Sequence, residues 1–275
     1  MSRQEKLKVS LIQMTSVDRA EVNLDHIKTQ IENASLQFAP NLICFPENAL
    51  YMRIIEGEKV PGFGLEDSCF SELSKMAVRS QAVLHLGSVP IRKGDRLTNA
   101  SVLISAEGEI SVSYEKMHLF DIELEGQKPI RESDVFSAGD GPRTFSVHDW
   151  KIGQTICYDL RFSDLYLQYA KAHVDVILVP SAFLVPTGKA HWHSLLRARA
   201  IESQCYVVAA AQAGVHISGQ AQRSTFGHSL VVSPWGEILS EGDGVGPQAL
   251  HVELQASSID KVRRQIPMAN HRRNY

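Results

Sequence analysis

Short runs of apolar and β-branched residues alternate with helical repeats along almost the whole chain. Lys8–Met14 (KVSLIQM) reads as a strand. Asn23–Phe38 follows with Leu24, Ile27, Ile31, Ala34 and Phe38 at spacings of three and four, a helix with one buried face. Pro40 stops that helix, and Asn41–Pro46 (NLICFP) supplies the next strand. A further helix is expected over Glu66–Gln81, after the Pro61-Gly62-Phe63-Gly64 punctuation. Ala82–Ile91, Thr98–Ser105 and Ile110–Tyr114 are strands joined by the polar turns Arg92–Arg96 and Ala106–Glu109, so part of the sheet is antiparallel. Beyond residue 150, strands at Ile152–Ile156, Val174–Val179 and Tyr206–Gln212 alternate with helices at Ser163–Ala172 and His191–Ser203. Leu230–Ser233 and Glu237–Leu239 flank a Pro234-Trp235-Gly236 turn as a hairpin. Ala249–Leu254 is a strand and Ser258–Gln265 a last helix. Phe120–Thr144 is long, polar and poor in regular signals, and segments of that kind often form lids or binding loops.

This alternation predicts an α/β protein with mixed sheets and helices outside. With no Pro/Gly/Ser-rich linker and no internal repeat, residues 1–275 are expected to form a single domain. Composition agrees with a packed globular chain, at 44% apolar and 21% charged residues. Acidic residues outnumber basic ones, 31 to 28, and no basic stripe appears, which argues against a nucleic-acid partner. Lys261 to Arg264 and His271 to Arg273 form the one basic cluster, read as a solvated face or a subunit contact. The longest apolar stretch, around Val174 to Val185, is too short to span a bilayer and contains Asp175 and Pro180. Four widely spaced cysteines and an N-terminus without an apolar signal core point to a reducing, cytoplasmic setting.

Candidate chemistry sits where strands end. Cys157 follows a buried strand at the point where the pattern breaks into Tyr158-Asp159-Leu160-Arg161, ahead of a helix. A thiol on such a corner is presented on a tight turn, where nearby N–H groups and positive charge would favour the thiolate. Cys44, Cys69 and Cys205 read as core residues. Glu47 ends the strand before it and suits a general base; Lys116 ends another and could steady an oxyanion. Taken singly, each is as readily a strand-end glutamate, a surface lysine or a core thiol. Their coincidence at the ends of three separate strands is one constellation of base, cation and nucleophile.

The segments FPEN (Phe45–Asn48), YEKMHLFD (Tyr114–Asp121) and ICYDLRF (Ile156–Phe162) resemble the three signature blocks of the nitrilase superfamily of carbon–nitrogen hydrolases. The resemblance covers nearly the whole chain. It implies a four-layer α-β-β-α sandwich that assembles as a homodimer or higher homo-oligomer, with the C-terminal segment, about 257–275, at a subunit interface. It also implies Cys157 as nucleophile, Glu47 as base, Lys116 as the cation for the tetrahedral intermediate, and Glu132 as a second glutamate supporting that lysine. The backbone N–H of Tyr158 would complete the oxyanion site. No cofactor or metal is expected. His191 and His193 lie at i, i+2 on a helix and do not face each other, and the glycines at 139–141 and 242–246 lack phosphate-loop context.

Within the superfamily, Pro180–Phe183, Thr187-Gly188, Leu196–Glu202 and Gln204–Gln212 resemble the branch that contains deaminated-glutathione amidase and ω-amidase, leaning toward the former. The expected partner is then a small 2-oxo-acid amide bearing a carboxylate. Arg161 is the candidate for that carboxylate, since guanidinium binds it bidentately; the alternative is a structural ion pair. By resemblance, Phe183 and Thr187 line the same pocket. The other readings are ω-amidase activity on α-ketoglutaramate, acyl transfer to an amine, and a non-catalytic binding homologue.

Overall fold

The computed structural model describes residues 4–123 and 129–273. Residues 124–128 of the expected Phe120–Thr144 loop, and the first three and last two residues of the expected domain, lie outside the described residues.

The first half runs β1 (Lys6–Gln13), α1 (Ala20–Gln37), β2 (Leu42–Cys44), α2 (Ser68–Ser80), β3 (Val83–Lys93), β4 (Arg96–Ile104) and β5 (Ile110–Glu115). Three two-residue strands follow, β6 (Asp121–Ile122), β7 (Ile130–Arg131) and β8 (Phe136–Ser137). The second half is β9 (Thr144–Val147), β10 (Trp150–Gln154), α3 (Ser163–Lys171), β11 (Val176–Leu178), α4 (Val185–Ser203) and β12 (Tyr206–Ala209). It ends with β13 (Ala213–Ser218), β14 (Ala221–Phe226), β15 (Leu230–Val232), β16 (Ile238–Glu241), β17 (Gln248–Gln255), α5 (Ala256–Gln265) and α6 (Met268–His271).

Two large sheets result, ordered β17-β1-β2-β3-β4-β5, with β8 beside β4, and β16-β15-β12-β11-β10-β9; β13-β14 and β6-β7 form two-stranded pairs. The central strands β1-β2-β3 and β10-β11-β12 are parallel, β8 runs parallel to β4, and the other strands of the two large sheets are antiparallel to their neighbours. The two-residue period of each strand explains the layering. Leu42 and Cys44 point between the sheets, while Ile43 meets α1 and α2 on the outside. Val176, Leu178, Tyr206 and Val208 face the same inter-sheet layer, and Ile177 and Val207 turn toward Trp192 and Leu196 of α4. Strands apolar on both faces must be covered on both, and the two sheets and their outer helices meet that need in the α-β-β-α order that the resemblance implies.

Two differences from the expected elements have physical causes. Helix α4 begins at Val185 rather than His191, because Pro186 stands in its first turn, where its fixed φ and missing N–H do no harm. Gly188 consequently lies inside the helix, against Phe226, where a Cβ would come within 2.2 Å of the ring. The β13–β14 hairpin inverts the usual pattern. Val215 and Ile217 face outward while His216 is fully buried, bonded to the Ser16 carbonyl and Thr225 Oγ1 at 2.7 and 2.8 Å. Hydrophobic alternation therefore carries no sign of it.

The C-terminal segment packs on its own chain through buried Ile259 and Val262, and Arg263 donates to the Val174 carbonyl at 2.6 Å.

Candidate active site

Glu47 and Cys157 leave the C-terminal ends of the parallel strands β2 and β10, and Lys116 leaves antiparallel β5. Ligand crevices of open α/β sheets form at such strand ends. Cys157 has φ +48°, a left-handed conformation costly for a residue with a Cβ. Two hydrogen bonds hold it there: its N–H donates to the Pro180 carbonyl at 2.9 Å, and the Ile156 N–H donates to Asp159 Oδ2 at 2.9 Å. Gly87 lets the two halves meet. A Cβ there would lie 2.3 Å from both the Phe45 carbonyl oxygen and Pro180 Cβ, which precede the acid and support the thiol.

The structure brings Glu47, Lys116, Glu132 and Cys157 to one open cavity of about 820 Å³. Lys116 Nζ lies 2.9 Å from Glu47 Oε1 and 2.9 Å from Glu132 Oε2, and its side chain is 2% exposed. Burial alone would discharge it; Glu132 and Glu47 outweigh that and hold its pKa well above the usual lysine range. Glu132, which opens a short 3₁₀ turn in the long polar segment, accepts from Lys116, from Asn99 Nδ2 at 2.9 Å and from the Phe120 N–H at 2.6 Å. Its acceptor capacity is largely committed. Glu47 Oε2 accepts the Ala182 N–H at 2.9 Å, which leaves that oxygen a second lone pair for a proton.

The surroundings of Cys157 work against the thiolate that the tight turn would favour. Burial first, then the charge of Glu47, push the Cys157 thiol well above the ordinary range, and the opposing pull of Lys116 does not overcome them.

The remaining expected residues line the same cavity: Tyr158, Arg161, Phe183 and Thr187. The Tyr158 N–H, at the start of a 3₁₀ turn, donates to no acceptor among the described residues. Arg161 makes no ion pair among the described residues. Its guanidinium lies 5.4 Å from the Phe183 ring centroid and 5.9 Å from that of Tyr158, and Nη1 meets His191 Nδ1 at 3.1 Å.

Several residues escaped the sequence reading. Asn99 bridges both glutamates, with Nδ2 3.3 Å from Glu47 Oε1; its signal was an amide within a strand that also carries Thr98 and Ser101. Arg53 and Arg223 also line the cavity, from a loop and from the hairpin that alternation conceals. His193 turns away from His191 and meets Glu241 at 2.8 Å, which His228 also meets at 2.9 Å. Burial would raise the Glu241 pKa, yet these two hydrogen bonds hold it below the usual carboxylate range. The three side chains could approach a metal together, all ligand atoms lying within 4.8 Å of one another, but they already satisfy each other by hydrogen bonds.

This strand-end triad in a four-layer sandwich defines a class of enzyme, and residues 8–264 match the carbon-nitrogen hydrolase family, to which the chain belongs. It is a carbon–nitrogen hydrolase of the amidase branch. It is 35% identical over 273 residues to the deaminated glutathione amidase of Yersinia enterocolitica, covering 96% of this chain and 92% of that one. It is 33% identical over 271 residues to the omega-amidase NIT2 of Mus musculus, covering 97% and 95%. The crystal structure of the C. elegans NitFhit protein superposes with a TM-score of 0.89 at 32% identity, over 99% of this chain and 66% of that longer one.

Proposed function

We propose that this enzyme hydrolyses a small 2-oxo-acid amide through a thioester on Cys157, with deaminated glutathione as substrate and 2-oxoglutarate and cysteinylglycine as products. The observation that carries the chemistry is the division of labour between the glutamates. Glu47 keeps an open lone pair beside a neutral thiol, while Glu132 is occupied in holding charged Lys116.

As Cys157 Sγ bonds to the amide carbon, Glu47 takes the thiol proton and the carbonyl electrons move to oxygen. Lys116 Nζ and the Tyr158 N–H receive that oxyanion, donors of a kind worth about 3–4 kcal/mol each in comparable sites. Glu47 passes its proton to the departing nitrogen as the C–N bond breaks. It then takes a proton from the water that attacks the thioester, and the thiol is restored with release of the acid. Glu132 and Asn99 act as positioning residues.

A carboxylate-bearing substrate is supported by Arg161, a pocket guanidinium with aromatic neighbours and no acid partner among the described residues. The likeness to an omega-amidase keeps α-ketoglutaramate as the second reading. We further propose a cytoplasmic homodimer that works as one carbon–nitrogen hydrolase domain, with residues 257–275 contributing to the subunit contact.

Both substrates release 2-oxoglutarate, so one coupled assay ranks them by kcat/KM, with Cys157→Ala as control. A strong preference for deaminated glutathione is the expected result. Preference for α-ketoglutaramate moves the assignment to the second reading, and turnover of neither removes the 2-oxo-acid class. Arg161→Ala is expected to impair both keto-acid amides far more than a neutral short-chain amide. Equal losses would make Arg161 structural.

A further inference from the structure

The cavity holds a second guanidinium that the chemistry above does not use. Arg223 extends from β14 into the space that Cys157, Tyr51 and Arg53 also line. It shares a strand face with Thr225, two residues on, which is locked to buried His216 and through it to the Ser16 carbonyl. The hairpin face that carries Arg223 is therefore rigid.

Its own guanidinium is poorly paired. Nη1 reaches the Arg53 carbonyl at a long 3.4 Å, and no carboxylate forms an ion pair with it among the described residues. Arg53, by contrast, is paired with Glu56 at 2.9 Å. Burial lowers the Arg223 pKa and Arg53 adds to the fall, against the pull of Glu47 and Glu56. A desolvated cation with no carboxylate in contact is costly, and a ligand anion is the partner that removes the cost. Arg161 and Arg223 stand on separate elements with separate neighbours, the first on Tyr158, Phe183 and His191, the second on the Arg53 carbonyl. Two such groups suit two anions. An amide with a single carboxylate leaves one of them empty.

We infer that Arg223 forms a second anion subsite, which binds a free carboxylate on the amine side of the scissile bond while Arg161 binds the carboxylate of the 2-oxo acid. The inference rests on the proposed 2-oxo-acid amidase reading. It makes Arg223 the residue that selects a 2-oxoacyl peptide with a free C-terminus over a one-carboxylate amide.

Binding to Cys157→Ala protein tests this without turnover. Three ligands are titrated by calorimetry: deaminated glutathione, its C-terminal glycinamide, and α-ketoglutaramate. The free acid is expected to bind about 10- to 100-fold tighter than the glycinamide, the range of one charge-assisted hydrogen-bonded pair. Adding Arg223→Gln should erase that gap while changing α-ketoglutaramate affinity far less, and Arg223→Lys should restore part of it. Equal weakening of all three ligands by Arg223→Gln, an unchanged gap, or no detectable binding of the free acid overturns the subsite. Wild-type hydrolysis separates the two claims. If the gap depends on Arg223 but deaminated glutathione is not turned over, the subsite stands and the amidase reading falls. If turnover is present and the gap is absent, the reverse holds.

Discussion

Asp159 accepts the His118 ring N–H at 2.7 Å and the His118 backbone N–H at 3.0 Å, joining the segment that follows Lys116 to the turn that presents Cys157. The same carboxylate, fully buried, accepts the Tyr114 hydroxyl at 2.7 Å and the Ile156 N–H at 2.9 Å. His118 lies flat on Phe162, with ring centroids 3.6 Å apart. The cation and the nucleophile are thus fixed relative to each other by one acid that touches neither.

Replacing that acid should loosen both ends. Asp159→Ala leaves several buried donors unpaired and is expected to cost at least about 2 kcal/mol of stability. Misplacement of the reacting groups should lower kcat by about 100-fold in the protein that still folds. Urea unfolding and single-turnover kinetics measure the two effects separately. A fully active, fully stable variant would show that the turn around Cys157 is held by other contacts.

Lys116→Met removes the oxyanion cation and leaves Glu47 and Glu132 facing each other. A fall in kcat of about 100- to 1,000-fold is expected, with KM little changed. If KM rises and kcat holds, Lys116 binds ground-state substrate instead.

Titration of the nucleophile gives a signed test. Burial and the Glu47 charge keep Cys157 protonated, and Lys116 opposes them. Glu47→Gln should therefore lower the thiol pKa and Lys116→Met should raise it. Thiolate absorbance against pH, with Cys157→Ala as the blank for the other three cysteines, gives both shifts. Shifts of the opposite sign would contradict the electrostatics described here.

The sequence carried the elements whose patterns are regular, and these include the strands that deliver Glu47, Lys116 and Cys157. Ile43 and Ile177 each stand between two residues that face the other way, so short apolar strands covered on both sides could be read directly. The three signature segments located the triad because each adjoins such a strand. Arg223 and Arg53 were not legible. One sits on a hairpin whose apolar residues point outward, the other on a loop, and only tertiary packing brings them to Cys157. Asn99 was visible only as a polar interruption in a strand. The state of the thiol also depended on three-dimensional context, since local N–H groups favour the thiolate while burial and Glu47 oppose it.

His85, buried on β3 and stacked 6.1 Å from Phe145, predicts an acid-sensitive stability. Burial lowers its pKa from 6.5 to about 4, against an interaction with the Gln154 side chain that raises it. Below 6.5 the unfolded chain takes up a proton that the folded one refuses, so stability falls as pH drops toward about 4. The full contribution is roughly 3 kcal/mol, from 1.36 kcal/mol per pKa unit. Urea unfolding across this window should show a shallower pH dependence for His85→Gln than for the wild type. Parallel curves would assign the loss to other groups.

The most direct test of the account is to trap the acyl enzyme. Deaminated glutathione is mixed with the wild-type enzyme, quenched in acid during turnover and digested, and the peptides are weighed by mass spectrometry. The account predicts a 2-oxoglutaryl group on the peptide containing Cys157, absent from Cys157→Ala, which does not turn over. Hydrolysis that proceeds in Cys157→Ala, or an acyl group carried on a different residue, would contradict it.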